Sequence, residues 1–175
     1  MLTIEQLIAL HRLFAGEPPS PRAKVPTEVS ISKINHDLGI ILPPAFVEFA
    51  QRCPSYWRVL FASIGEDFEI LDINRSFHTD QLPRVPPWFV VFNRGHDEDC
   101  QGFDSRQRRS DGEYPIVYWD ASQGLDFDLN TAWRIFHSFH DYLEHMIIHY
   151  ATTSHKERAE QIIRAASYEG STGKS

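Results

Sequence analysis

The chain has 175 residues, the length of one ordinary domain, and its 42% hydrophobic and 13% aromatic content is enough to fill a sizeable core. That composition excludes a disordered chain and a disulfide scaffold. The formal net charge of -7 argues against a nucleic-acid binder, which would carry a basic footprint, and favours basic or neutral partners.

Thr3 to Ala15 reads as a helix. Ile4, Leu7, Ile8 and Phe14 recur at helical spacing, and Thr3 with Gln6 fits a capping box. GEPPSPRAKVP follows, with four prolines in eleven residues, which makes it an extended connector. Ser30 to Cys53 reads as helix, break, helix: Ile31, Ile34 and Leu38 form one apolar stripe, Gly39 stops it, and Pro44 suits the first turn of the next helix. Phe46, Phe49, Ala50 and Cys53 then share a face, so Cys53 reads as a core residue.

The period changes after Pro54. WRVLFA (57–62), FEILDI (68–73), WFVVF (88–92), QGFDSR (101–106) and YPIVYW (114–119) are short, rich in aromatic and β-branched residues, and bounded by Gly, Pro, Asp and Asn, which is strand punctuation. Asp111-Gly112 supplies a turn for a hairpin between the last two. WFVVF and IVYW are apolar on both faces and are expected at the centre of a sheet covered by helices. Helical period returns with Ala132, Ile135, Phe136, Phe139, Leu143, Met146, Ile147 and Tyr150. A last helix opens at Ser154, with Glu157 completing a capping box, and EGSTGKS is a frayed tail.

Helices, then strands, then helices predict a single α+β domain with a mainly antiparallel central sheet flanked by N-terminal and C-terminal helices. Two lone cysteines, Cys53 and Cys100, point to a reducing compartment, although a bond between them is open at this level. No basic leader with a cleavage site begins the chain, and the longest apolar run, PPWFVVF, is far short of a membrane span. A cytoplasmic location with no membrane partner is therefore expected.

No G-x-S-x-G elbow, phosphate-binding loop, H-E-x-x-H or C-x-x-C is present. Three constellations carry the chemistry on offer. RGHDEDCQGFD (94–104) holds His96, Asp97, Glu98, Asp99 and Cys100. These residue types suit zinc or a hard cation, but adjacent residues of an extended chain point to opposite sides, so an acidic loop is the simpler reading. On HSFHDYLEHMIIH, Asp141, His145 and His149 share one stripe, and His140 with Glu144 shares another. A His pair at this spacing can chelate a metal, and His140-Asp141 resembles the dipeptide of HD-type metal phosphohydrolases, which are all-helical; a solvated helix surface is the competing reading. Finally, Asp97 to Asp99, Asp104, Asp120, Asp126 and Asp128 flank the expected central strands, while Arg106, Arg108 and Arg109 crowd the hairpin. They sketch a recognition face, acidic with a basic lip.

ISKINHDLGIILPPAFVEFAQRC resembles the opening of the SUKH superfamily (the Smi/Knr-like domains). A short helix ends in a Leu-Gly step, followed by Leu-Pro and a helix rich in Phe and Glu. Ile34, Leu38, Gly39, Leu42, Pro43, Phe46 and Phe49 carry that match. WFVVFNRGHDEDCQGFDSRQRRSDGEYPIVYWD is similar to the family's central strands through Phe92, Gly95, Asp99, Phe103, Asp104, Pro115, Val117 and Trp119, and FHSFHDYLEHMI to its closing helix. Where many relatives place Asn-Gly after the second helix, this chain has QRCPSYW. The resemblance covers residues 28–148, leaving a helix at 1–15, a connector at 16–27 and an extra helix at 154–168.

The resemblance implies an α+β fold and a non-catalytic, protein-binding role without a cofactor: an immunity protein that neutralises a cognate toxin, often a nuclease or deaminase, delivered between competing bacteria. On that reading His96, Asp97, Glu98 and Asp99 are the expected contacts, with Asp126 and Asp128 behind them. Leu38, Gly39, Leu42, Pro43, Phe46, Phe49, Phe103, Asp104 and Trp119 are the family's structural positions. Two alternatives stand beside it: a metal-dependent hydrolase using His140, Asp141, His145 and His149, and a regulatory scaffold with no toxin partner.

Overall fold

The computed structural model describes residues 1–15, 25–53, 69–78, 85–94, 99–120, 132–154, 157 and 159–164. The strand expected at 57–62 and most of the proline connector lie outside these. The helices are α1 (Ile4–Ala15), α2 (Glu28–Leu38), α3 (Pro44–Arg52), α4 (Glu69–His78) and α5 (Phe139–Ser154). The strands are β1 (Phe89–Arg94), β2 (Cys100–Asp104), β3 (Ile116–Trp119) and β4 (Ala132–Phe136). Residues 157 and 159–164 are helical as well. The molecule is an α+β fold whose sheet has the order β1-β2-β3-β4, with every neighbouring pair antiparallel.

Local chemistry sets the early helix ends. Gln6 N–H donates to Thr3 Oγ1 at 3.3 Å and Thr3 N–H donates to Gln6 Oε1 at 2.7 Å, which is the expected capping box. Thr27 and Ser30 close a second one at the start of α2. Gly39 ends α2 in the left-handed region, φ 67°, where a side chain would be strained. Pro44 opens α3.

Each face of the sheet is covered. Val90, Phe92, Phe103 and Ile116 belong to the larger core with Leu7 and Leu10 of α1, Phe46 and Phe49 of α3, and Phe139, Tyr142 and Leu143 of α5. Here the Phe46 and Phe139 rings meet edge to face at 4.9 Å, and Phe92 lies 4.6 Å from Phe103. Phe89, Val91, Cys100, Val117 and Trp119 belong to a second core with Phe77 of α4. Cys53 and Cys100 are buried free thiols in these separate cores, so they do not pair.

Several expectations are corrected. Within FEILDI, residues 69–73 are not a strand: they open α4, because Ile70, Leu71, Asn74 and Phe77 are buried at helical spacing and Glu69 and Asp72 suit a first turn. The helical stripe from Ala132 is interrupted. Residues 132–136 pair with β3, and the helix begins only at Phe139, where Ser138 Oγ accepts from Asp141 N–H at 3.0 Å. Ser154 is the last residue of α5, and the start of the helix expected from Ser154 lies outside the described residues. IVYW is an inner strand as expected, but WFVVF is not central among the described strands, where β1 stands at the edge.

That edge is closed by a side chain. Val91 N–H donates to Asn74 Oδ1 at 2.8 Å, and Asn74 Nδ2 donates to Val91 O at 2.7 Å. Buried on α4, Asn74 thus supplies at one residue of β1 the donor and acceptor that a further strand would offer.

Candidate functional site

Because the strands form a meander, the chain leaves β1 at Arg94 and enters β2 at Cys100 at the same end of the sheet where it leaves β3 at Trp119 and enters β4 at Ala132. The stretches holding His96, Asp97 and Glu98, and Asp126 and Asp128, therefore both have their stems there. These five residues lie outside the described ones. Asp99 is described. It accepts from the Tyr118 hydroxyl at 2.5 Å, and burial first, then this carboxylate, holds the phenol well above its ordinary value.

The remainder of RGHDEDCQGFD serves the sheet. Cys100 is 1% exposed and packs beside Trp119, and burial first, then Asp99, drives its thiol far above the ordinary range, which favours the protonated thiol of a core residue. Gly102 lies under Phe89: a Cβ there would stand 2.7 Å from Val90 O and 2.8 Å from the Phe89 ring. Asp104 is buried. It accepts from Arg106 Nε at 2.9 Å, Arg106 Nη2 at 3.0 Å and Gln107 Nε2 at 2.8 Å, and the Arg106 guanidinium stacks 3.5 Å over Trp88.

Arg106, Arg108 and Arg109 are thereby at the opposite end of the sheet from the acidic stems. A strand of 4–6 residues separates the two ends by about 13–20 Å. The stems of the acidic segments thus stand apart from the arginine hairpin, and the acidic segments themselves lie outside the described residues. Arg109 pairs with Asp111 at 2.9 Å.

This second end holds a residue that sequence reasoning missed. Glu113, 7% exposed, accepts from Ala45 N–H at the start of α3 and from Phe139 N–H at the start of α5, each at 3.0 Å. One carboxylate thus satisfies donors at two helix N-termini. Burial raises its pKa, against the pull of the two N–H bonds. The only sequence signal is a Glu beside the Asp111-Gly112 turn, which says nothing about helices 68 and 26 residues away.

The helical histidines are only partly brought together. His140 and Asp141 join Glu113, Glu48 and Arg109 around an open cavity of about 330 Å³ at the start of α5, whereas His145 and His149 are exposed further along. Among the described residues, no group of three or more His, Cys, Asp or Glu is placed to hold a metal ion. Nor is any described helix long and apolar enough to cross a membrane.

The family's structural positions gather around the larger core and its rim. Leu42, Phe46, Phe49 and Phe103 are buried within it, Leu38 packs against it, and Pro43 and Gly39 shape the link between α2 and α3. Trp119 fills the second core.

The fold and these positions define the class: an α+β domain with a four-stranded antiparallel meander between helical layers. The chain belongs to the SMI1 / KNR4 family (SUKH-1), whose family model matches residues 26–145. A search of curated proteins finds no match. Family membership implies a protein partner in general terms and is consistent with an immunity-type module.

Proposed function

We propose that the protein is an immunity protein that binds and neutralises a cognate toxin in competition between bacteria, without catalysis of its own and in the cytoplasm. Sheet topology is the observation that carries this reading. The segments with His96, Asp97, Glu98 and Asp99 and with Asp126 and Asp128 leave from and return to one end of the described sheet, which supports a common role for them. A basic toxin surface, such as the substrate cleft of a nuclease or the active-site rim of a deaminase, is complementary to such an end. Charge complementarity speeds association, and buried groups supply lasting affinity. The net charge of -7 and the two reduced, buried cysteines agree with this role.

The test is co-expression with the candidate toxin encoded by the neighbouring gene. The expected result is rescue of growth and co-purification of the pair. A toxin that stays lethal and does not co-purify overturns the reading. Replacing Asp97 and Glu98 together by Ala is expected to weaken the complex at least tenfold with little change in melting temperature, since charges that serve as partner contacts act mainly on association.

A further inference from the structure

Among the residues at the acidic end, Asp99 differs from a freely presented charge. Its Oδ2 takes the Tyr118 hydroxyl at 2.5 Å, and its Oδ1 is buried without a hydrogen-bond partner. Oδ1 is therefore not offered to a partner's cation, and Oδ2 is already engaged within the sheet. The register explains the position. Gln101 lies opposite Tyr118 and Cys100 opposite Trp119, so Asp99 is the diagonal neighbour of Tyr118, one step past the last described pair of β2 and β3. Across the same row, Asn93 Nδ2 donates to Gln101 Oε1 at 3.1 Å, and Asn93 pairs with Gln101 in the ladder. Two side-chain bonds thus tie β1 to β2 and β2 to β3 at the end from which the acidic segments leave.

We propose that Asp99 is a positioning residue of the binding end, acting through the Tyr118 hydroxyl as a strut between the stems of β2 and β3 rather than through its charge on a partner. The proposal deepens the toxin-binding reading and rests on it for its biological meaning. It requires an acceptor at position 99 and a hydroxyl at position 118; it does not require the negative charge.

Asp99→Asn keeps an acceptor and loses the charge, Asp99→Ala loses both, and Tyr118→Phe removes only the donor. Amide hydrogen exchange of the free, full-length protein is followed over residues 99–101 and 118–120. Tyr118→Phe and Asp99→Ala are expected to speed exchange there by about tenfold, the upper scale for loss of one ordinary hydrogen bond. Asp99→Asn is expected to stay within about twofold of the parent protein. If Asp99→Asn is as fast as Asp99→Ala, or if Tyr118→Phe leaves exchange unchanged, the strut is overturned. In the co-expression assay, Asp99→Asn should protect as the parent does, and Tyr118→Phe should protect less. An Asp99→Asn chain that fails to protect beside a protective Tyr118→Phe chain overturns the proposal in favour of a direct charge contact. Because the exchange measurement uses the free protein, its failure is distinct from a failure of the toxin-binding reading, in which the parent protein itself gives no protection.

Discussion

Glu113 joins three separate parts of the chain through two hydrogen bonds. Glu113→Ala leaves Ala45 N–H and Phe139 N–H without their acceptor inside the protein, which is expected to lower stability by about 2–4 kcal/mol, the scale of losing two helix caps. Glu113→Gln retains one carbonyl oxygen and should recover about half; urea denaturation of the three proteins checks both values. His11 gives a pH signature. It is fully buried against Phe49, their rings edge to face at 5.2 Å, and burial depresses its pKa to about 4. The unfolded chain takes up this proton near 6.5, so between about 6.5 and 4 it binds more protons than the folded chain. His11 thus contributes stability that is full above about 6.5 and falls away by about 3 kcal/mol as pH drops to 4. Stability measured at pH 7 and pH 4 should show this loss, and His11→Leu should remove that part of it. Cys53, also buried, has its thiol pushed up to about 11, consistent with the core role read from its place on the Phe46 and Phe49 face.

At the scale of elements, α4 and β4 show how packing overrides a short pattern. FEILDI has a strand's composition, but its apolar residues continue through Phe77 at helical spacing, and in α4 Asn74 meets the open backbone of β1. In AWRIF, residues at helical spacing are drawn into the sheet because β3 presents an edge to pair with, and Ser138 then starts a fresh helix. Asn74→Ala removes both bonds to Val91. It is expected to cost about 2–3 kcal/mol and to leave an edge strand open to another chain. Sedimentation at rising concentration should then show more self-association than in the parent protein; a variant with parent-like association and stability contradicts the account.

For the whole molecule, the family match at 26–145 does not delimit what folds. α1 lies before it, yet Leu2, Leu7, Ile8 and Leu10 are buried in the larger core, Leu2 N–H donates to Glu144 at 2.9 Å and Arg52 pairs with Glu5 at 2.8 Å. Each such apolar side chain contributes about 1.5–3 kcal/mol, so together they rival the about 5–15 kcal/mol that holds a typical domain folded. A chain lacking residues 1–15 is therefore expected to lose cooperative unfolding, as calorimetry can show. Ala159, which lies beyond the match, is also buried in this core.

Much of this was legible from residues close in sequence. Thr3 with Gln6, Gly39 and Pro44 mark helix ends through contacts within one turn, and the Phe46 and Phe49 stripe marks a core face, because these signals need only the spacing of a helix. The order of helices and strands followed from the change of period, and with it the α+β class. What folding alone could decide depends on partners far along the chain: the strand at 132–136 on β3, the Asn74 amide on β1, the Glu113 carboxylate between two helices, and the separation of acidic stems from the arginine hairpin. An antiparallel meander sends alternate connections to opposite ends, so the stems of neighbouring connections part company and those of distant ones share an end. Local spacing carries no record of that.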